Sequence, residues 1–178
     1  MERKFLIGNR LHLRPLDIRD IEGNYITWFD DAEISAWNSH HIFPKSKKQV
    51  EEYILNPSAD RIALAIVSSS DNVHIGNISL QNIDFISRTA EYAIILGEKA
   101  YWGKGYAKEA SNLIITHGFN SLNLRRISLG TTDKNVSMKK LAVSLGFVEE
   151  GRLREHMYRN GMYVDVIQFG LLKSEWSV

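Results

Sequence analysis

The chain has 178 residues, with 22 Lys and Arg against 21 Asp and Glu for a formal charge of +1, which suits a single globular domain over residues 1–178. Hydrophobic residues make up 44%, enough for a sizeable core, and the lack of cysteine excludes a disulfide framework, a thiolate zinc site, an iron–sulfur cluster and a cysteine nucleophile. Near-neutral charge argues against nucleic acid or an anionic membrane as main partner, and neither a signal-peptide pattern nor a run of about 18 apolar residues is present; a cytoplasmic protein with a small-molecule site is expected.

Residues 5–7 and 11–14 flank Gly8-Asn9 and read as a strand or short hairpin ended by Pro15. Asp17 caps a predicted amphipathic helix over 18–29, with Ile18, Ile21, Tyr25 and Trp28 on one face. Ser46 to Gln49 matches a capping box opening a second helix to about Leu55. Residues 62–67, 73–80 and 90–96 are strand-like runs divided by polar turns, an antiparallel meander. A helix over 106–121, a strand over 126–131 and a helix carrying Met138, Leu141, Ala142 and Leu145 follow, the last stopped by Gly146. Two closing strands, 147–157 and 163–172, are joined through Asn160-Gly161, a strong hairpin signal. The order predicts an α/β fold: a mixed, mostly antiparallel sheet with helices on both faces.

Residues 90–107 lead from a strand through Gly103-Lys104-Gly105 into a helix start, where close backbone approach and free amides favour a phosphate. The loop lacks the Walker spacing, and Lys108 stands where a dinucleotide fingerprint needs its third glycine. Alone, it fits a tight turn before a packed helix equally well.

Asn135-Val136-Ser137-Met138-Lys139-Lys140-Leu141 and Leu145-Gly146-Phe147 now join that loop, and with them the chain resembles the GNAT acetyltransferases. Within that superfamily it is similar to the branch acting on ribosomal-protein N-termini, spermidine or bacterial amino sugars. Leu13 to Leu16, Trp28 to Ile34, His74 to Ile78, Tyr101 to Ala110 and Glu150 to Trp176 carry the resemblance across almost the whole chain, in the family's order.

The resemblance implies a single-domain GNAT fold in which acetyl-CoA lies between two splayed strands. Backbone groups of Ile94, Ile95 and Leu96 would pair with the pantetheine arm, and amides from Trp102, Gly103, Lys104, Gly105, Tyr106 and Ala107 would hold the pyrophosphate. Asn135 would bind from the other side, with Lys140 reaching a phosphate; equally, Asn135 is a helix cap, and Lys104 and Lys140 are solvated surface charges. No metal is implied. Transfer would be direct, from thioester to primary amine, and an alkylammonium with a reference pKa of about 10 must lose a proton first. Glu91 is the candidate base, where histone-type members carry a glutamate; as a structural carboxylate it would pair with a neighbour such as Arg88. Amides near Ile95 and Leu96 would stabilise the oxyanion.

The chain departs from the family at Ala142, where many members carry a tyrosine that protonates the leaving thiolate, and at Met138, commonly serine. Tyr106, Tyr158 or water would have to serve. Glu155, as a second catalytic candidate, and His156 would contact the acceptor; residues 35–43 read either as a rim over it or as a helix connection around Trp37. Trp28 to Ile34 looks most like members acting on nucleotide-linked amino sugars, so that acceptor leads over a protein N-terminus or polyamine. The missing tyrosine also fits a CoA-binding regulatory domain without turnover. A homodimer is left open.

Overall fold

A computed structural model describes residues 3–37, 43 and 45–177. The opening segment is a hairpin, β1 (Leu6–Ile7) and β2 (Leu11–Pro15). After α1 (Thr27–Asp30) and α2 (Lys47–Leu55) comes the expected meander of β3 (Ile62–Ser68), β4 (His74–Asp84) and β5 (Thr89–Leu96). Then follow α3 (Tyr106–Asn120), β6 (Arg126–Thr132), α4 (Val136–Ser144), β7 (Val148–Arg159) and β8 (Met162–Leu172). Eight strands form one sheet in the order β1-β2-β3-β4-β5-β6-β8-β7, parallel only between β5 and β6. No helix among the described residues is long and apolar enough to cross a membrane.

Local signals are realised where the chemistry is local. Ser46 and Gln49 form the reciprocal box at the start of α2. Gly146 (φ +87°) ends α4, and Asn160 (φ +49°) with Gly161 (φ +82°) makes the tight turn between β7 and β8.

Strand alternation gives the sheet two faces. Leu13, Ile66, Ile78, Leu80, Tyr92 and Ile94 share one, where Ala110, Ile114, Ile115 and Phe119 of α3 and Ala142 of α4 join them in the main core. A side chain at Gly118 would clash with Leu80, so glycine lets α3 lie close to β4. The opposite face carries Arg14, Ala65, Asn77 and Ile95, and against its β2–β4 end packs a smaller cluster of Ile21, Tyr25, Trp28, Phe29 and Val50.

The expected helix over 18–29 is broken. Asp17 caps a 3-10 turn, Ile18–Glu22, that stops at Gly23, and α1 starts only at Thr27. The cause is Asp20, which turns inward to the guanidinium of Arg14 (2.9 and 2.6 Å) and lies 3.4 Å from His74 Nδ1. Burial alone would raise the Asp20 pKa, but these partners outweigh it and hold the carboxyl well below the usual carboxylate range. A depressed folded-state pKa supplies stability that is complete above the ordinary value near 3.8 and fades as pH falls below it.

Asp20→Asn should therefore cost about 3 kcal/mol at pH 7, as breaking a buried pair does. Linkage should narrow the gap to wild type by about 1 kcal/mol between pH 5 and pH 3 in denaturant titrations; a gap constant over that range would contradict it. Gly97 touches the Trp28 ring so closely that a Cβ there would overlap it, and Trp28, 2% exposed, is fixed by its indole N–H to Glu98 (3.1 Å). Gly97→Ala should lower Tm by roughly 4–8 °C, as overpacking of about 2 kcal/mol does in a chain of this size. An unchanged melting curve would mean that Trp28 is not locked there.

Candidate active site

The sheet opens at its one parallel pairing. β5 and β6 are paired only at Thr89–Arg126, Ala90–Ile127 and Glu91–Ser128; beyond Glu91, β5 stays with β4 and β6 stays with β8, leaving a gap between them. Parity decides what faces it. Gly97 N–H donates to Ile75 O of β4 (2.9 Å), so the odd residues of β5, Ile95 included, turn their backbone groups to β4. Arg88 O accepts from Arg126 N–H across the parallel pairing, which sets the even residues, Ile94 and Leu96, toward the gap. The two roles expected of the Ile95 backbone, pairing with the pantetheine arm and donating to the oxyanion, are corrected accordingly: its N–H and C=O are turned to β4, while those of Ile94 and Leu96 face the gap.

At the far end of β5, Trp102 Nε1 donates to Leu96 O (2.7 Å). Gly103 (φ +70°) and Gly105 (φ +84°) are both left-handed, and Gly105 caps α3. Nothing lies within 4 Å of a Cβ placed on Gly103, so its glycine is a conformational need. The first amide bonded inside α3 is that of Glu109, to Gly105 O (3.1 Å), so the amides of Tyr106, Ala107 and Lys108 precede it. Lys104 is exposed. This wall, built on two left-handed glycines and edged with amides, fits a pyrophosphate.

One residue at this loop had no sequence signal. Arg10 donates from Nη1 to Lys104 O and from Nε to Glu109 Oε2 (2.8 Å each), while its backbone N–H donates to Glu109 Oε1 (2.8 Å). Its guanidinium lies 4.7 Å from the centre of the Tyr106 ring. Burial would raise the Glu109 carboxyl, but the bonds from Arg10 hold it below the ordinary value.

Because β5 and β6 run the same way, the Asn135 end of β6 and the glycine loop lie at the same end of the sheet, at a switch in strand order. Asn135 does cap α4, its Oδ1 accepting from Met138 N–H (3.1 Å). Lys140 is exposed, and Ala142 is buried in the main core, so that position offers no proton donor.

Glu91 occupies the last paired position, at the base of the gap, on the face opposite the main core. Its Oε2 accepts from Asn82 (2.8 Å) rather than from Arg88. Glu155 lies elsewhere: it sits in a bulge of β7 with φ +49°, its N–H bound to Asp165 Oδ1 (2.8 Å). Ser128, opposite Glu91, pairs with Gly170, five residues along β8 from Asp165, or about 17 Å at the usual strand rise. The register thus separates the two carboxylates. Glu155 and His156 line an open groove with Arg152 and Arg154. A second groove, lined by Arg14, Asp20, Asn24 and His74, is at the β2–β4 end. Lys99 ties the loop after β5 to Asp31 and Glu33 (2.9 and 2.6 Å). Of the segment 35–43, Ser35 is buried and bonds Trp28 O, Trp37 is half-buried, and residues 38–42 lie outside the described residues. Among the described residues no three His, Asp or Glu side chains gather as a metal site needs.

The acetyltransferase (GNAT) domain profile matches residues 10–148, from Arg10 through the glycine loop and α4. The chain belongs to the GNAT acetyltransferase family. As a GNAT N-acetyltransferase it uses acetyl-CoA to acetylate an amine. It is 33% identical over 177 residues to an uncharacterized N-acetyltransferase, p20, of Bacillus licheniformis, covering 97% of this chain and 98% of that one. A spermidine N(1)-acetyltransferase of Vibrio cholerae is 35% identical over 111 residues, 62% of this chain and 64% of its own. The crystal structure of spermidine N-acetyltransferase from Vibrio cholerae with CoA and spermine superposes with a TM-score of 0.84 at 28% identity, covering 93% of this chain and 97% of that one. A ribosomal-protein-serine acetyltransferase of Escherichia coli is 33% identical over 92 residues, 52% of this chain and 51% of its own.

Proposed function

We propose that this GNAT enzyme acetylates a small cationic amine of the polyamine class, with Glu91 as the general base. The observation that carries the reading is the position of Glu91 where β5 and β6 part, on the open face. Of the charged side chains that β4, β5 and β6 put on that face, Arg126 is paired with Glu150 and Asp84 is held by Ser87 on the closed side of the pairing, which leaves Glu91 at the gap. A nucleotide-linked sugar would bring a diphosphate to a gap at which the described residues of these three strands leave no unpaired cation, whereas an ammonium meets the Glu91 carboxylate. Trp28 and Phe29, which favoured an amino-sugar acceptor, are core residues, and similarity to spermidine acetyltransferases supports the cationic choice.

In this reading the cosubstrate supplies an acetyl thioester, and the chain's own groups hold it and move the proton. Ile94 and the Leu96 amide meet the pantetheine arm, amides from Gly103 to Ala107 meet the pyrophosphate, and Asn135 and Lys140 border the other side. The Ile95 side chain lies on the open face beside the arm. Glu91, directly or through a water, takes the ammonium proton so that the amine lone pair can attack; the Ile94 N–H, on the gap side and nearer Glu91 than the Leu96 amide, is the donor for the negative charge that develops on the thioester oxygen. Ala142 offers no acid, and a thiol with a reference pKa near 8.5 leaves tolerably as thiolate. Glu155, at the β7 bulge, is a contact for the distal part of an acceptor.

Glu91→Gln keeps the shape and loses the base. Its kcat should fall by ~10²–10⁴-fold while the Kd for acetyl-CoA stays near wild type, with partial recovery above pH 9 as the amine deprotonates by itself. Full turnover at pH 7 would make Glu91 structural. The acceptor class is tested by thiol release with spermidine, an amino-sugar nucleotide and a peptide with a free N-terminus. Spermidine should give the highest kcat/KM; a higher value for either of the others overturns the polyamine reading.

A further inference from the structure

We propose that Arg10 is a positioning residue for the nucleotide end of CoA: by holding the Lys104 carbonyl, it turns the Gly105 amide into the phosphate cradle. This rests on the assignment of the glycine loop to the pyrophosphate.

The reasoning starts from the peptide plane. In a trans peptide the carbonyl and the following N–H point to opposite sides, and no described peptide bond is cis. With Lys104 O drawn to Arg10 Nη1 at 2.8 Å, the Gly105 N–H is directed away from Arg10. Gly103 and Gly105, both left-handed, leave the plane between them little to resist a flip. A flipped plane would aim a carbonyl oxygen, a partial negative charge, where the phosphate oxygens must come. Arg10 opposes the flip at three points. Its Nη1 holds the carbonyl, its Nη2 lies 3.3 Å from where a Cβ on Gly105 would stand, and its guanidinium covers the Tyr106 ring. Glu109, in the first turn of α3, holds Arg10 in turn through its backbone N–H and its Nε.

Glu109 neutralises the guanidinium, so Arg10 acts through geometry more than through charge. Lysine, a single point donor, cannot bond Glu109 and the Lys104 carbonyl as the planar fork does. Arg10→Lys and Arg10→Met should therefore behave alike.

Calorimetric titration of the whole protein with CoA and with pantetheine, which lacks the pyrophosphate, separates the roles. Wild type should bind CoA more tightly. In both variants the Kd for CoA should rise about tenfold, the scale of a lost charge-assisted hydrogen bond, while the Kd for pantetheine stays at its wild-type value. An unchanged CoA Kd, equal weakening for both ligands, or a Lys variant that binds as wild type would overturn the inference. If wild type itself binds pantetheine as tightly as CoA, the pyrophosphate assignment falls, and this inference with it.

Discussion

Beyond Glu91 the edge of β5 that faces β6 has lost its neighbour, and a strand inside a sheet cannot leave its amides and carbonyls unpaired without cost. The surrounding structure answers that constraint piece by piece. Trp102 takes the Leu96 carbonyl from the end of the strand. The chain then passes through two left-handed glycines into α3, presenting further amides at the same end of the gap. An extended molecule with its own amides and a charged tail is the natural complement to such an edge, as pairing to an exposed strand is in peptide recognition.

The two faces of the sheet divide the labour. The face under α3 and α4 is packed with aliphatic and aromatic side chains, and the Tyr92 hydroxyl is bonded to Ser111 (2.6 Å) inside it. This holds β5 against β4 while its other edge is open. The opposite face is only partly covered, by the cluster of Tyr25, Trp28 and Phe29, and leaves Glu91 accessible. A rigid scaffold on one side, with the proposed base on the other, lets a site hold its geometry without closing off its substrate.

How much of this could be read in the residues depends on distance along the chain. The Ser46–Gln49 box, the Asn160-Gly161 turn and the Gly146 stop act within a few residues and are legible directly. The helix expected over 18–29 was not to be had, because what bends it is Asp20 reaching Arg14 and His74, and periodicity carries no trace of such a cluster. Arg10 was missed for the same reason: it lies 94 residues from Lys104 and 99 from Glu109. Glu91 could be placed on its strand by pattern. Which way the Ile95 amide points could not, since that depends on which neighbour lies on which side of β5.

The bond from Trp102 to Leu96 also works as a ruler. With that carbonyl taken, a ligand laid along β5 has its last acceptor on the strand at Ile94 O, and the span from Tyr92 to Leu96 is about 13 Å at the usual rise per residue. The glycine loop fixes one end of that span and the parting of the strands at Glu91 the other. Chain length between a donor's charged tail and its reactive carbon then becomes a property the protein can measure. With Glu91 as the proposed base, donors with an arm one or two atoms shorter or longer would present that carbon out of line with it, and selection among thioesters would follow from strand geometry before any side chain touched the acyl group.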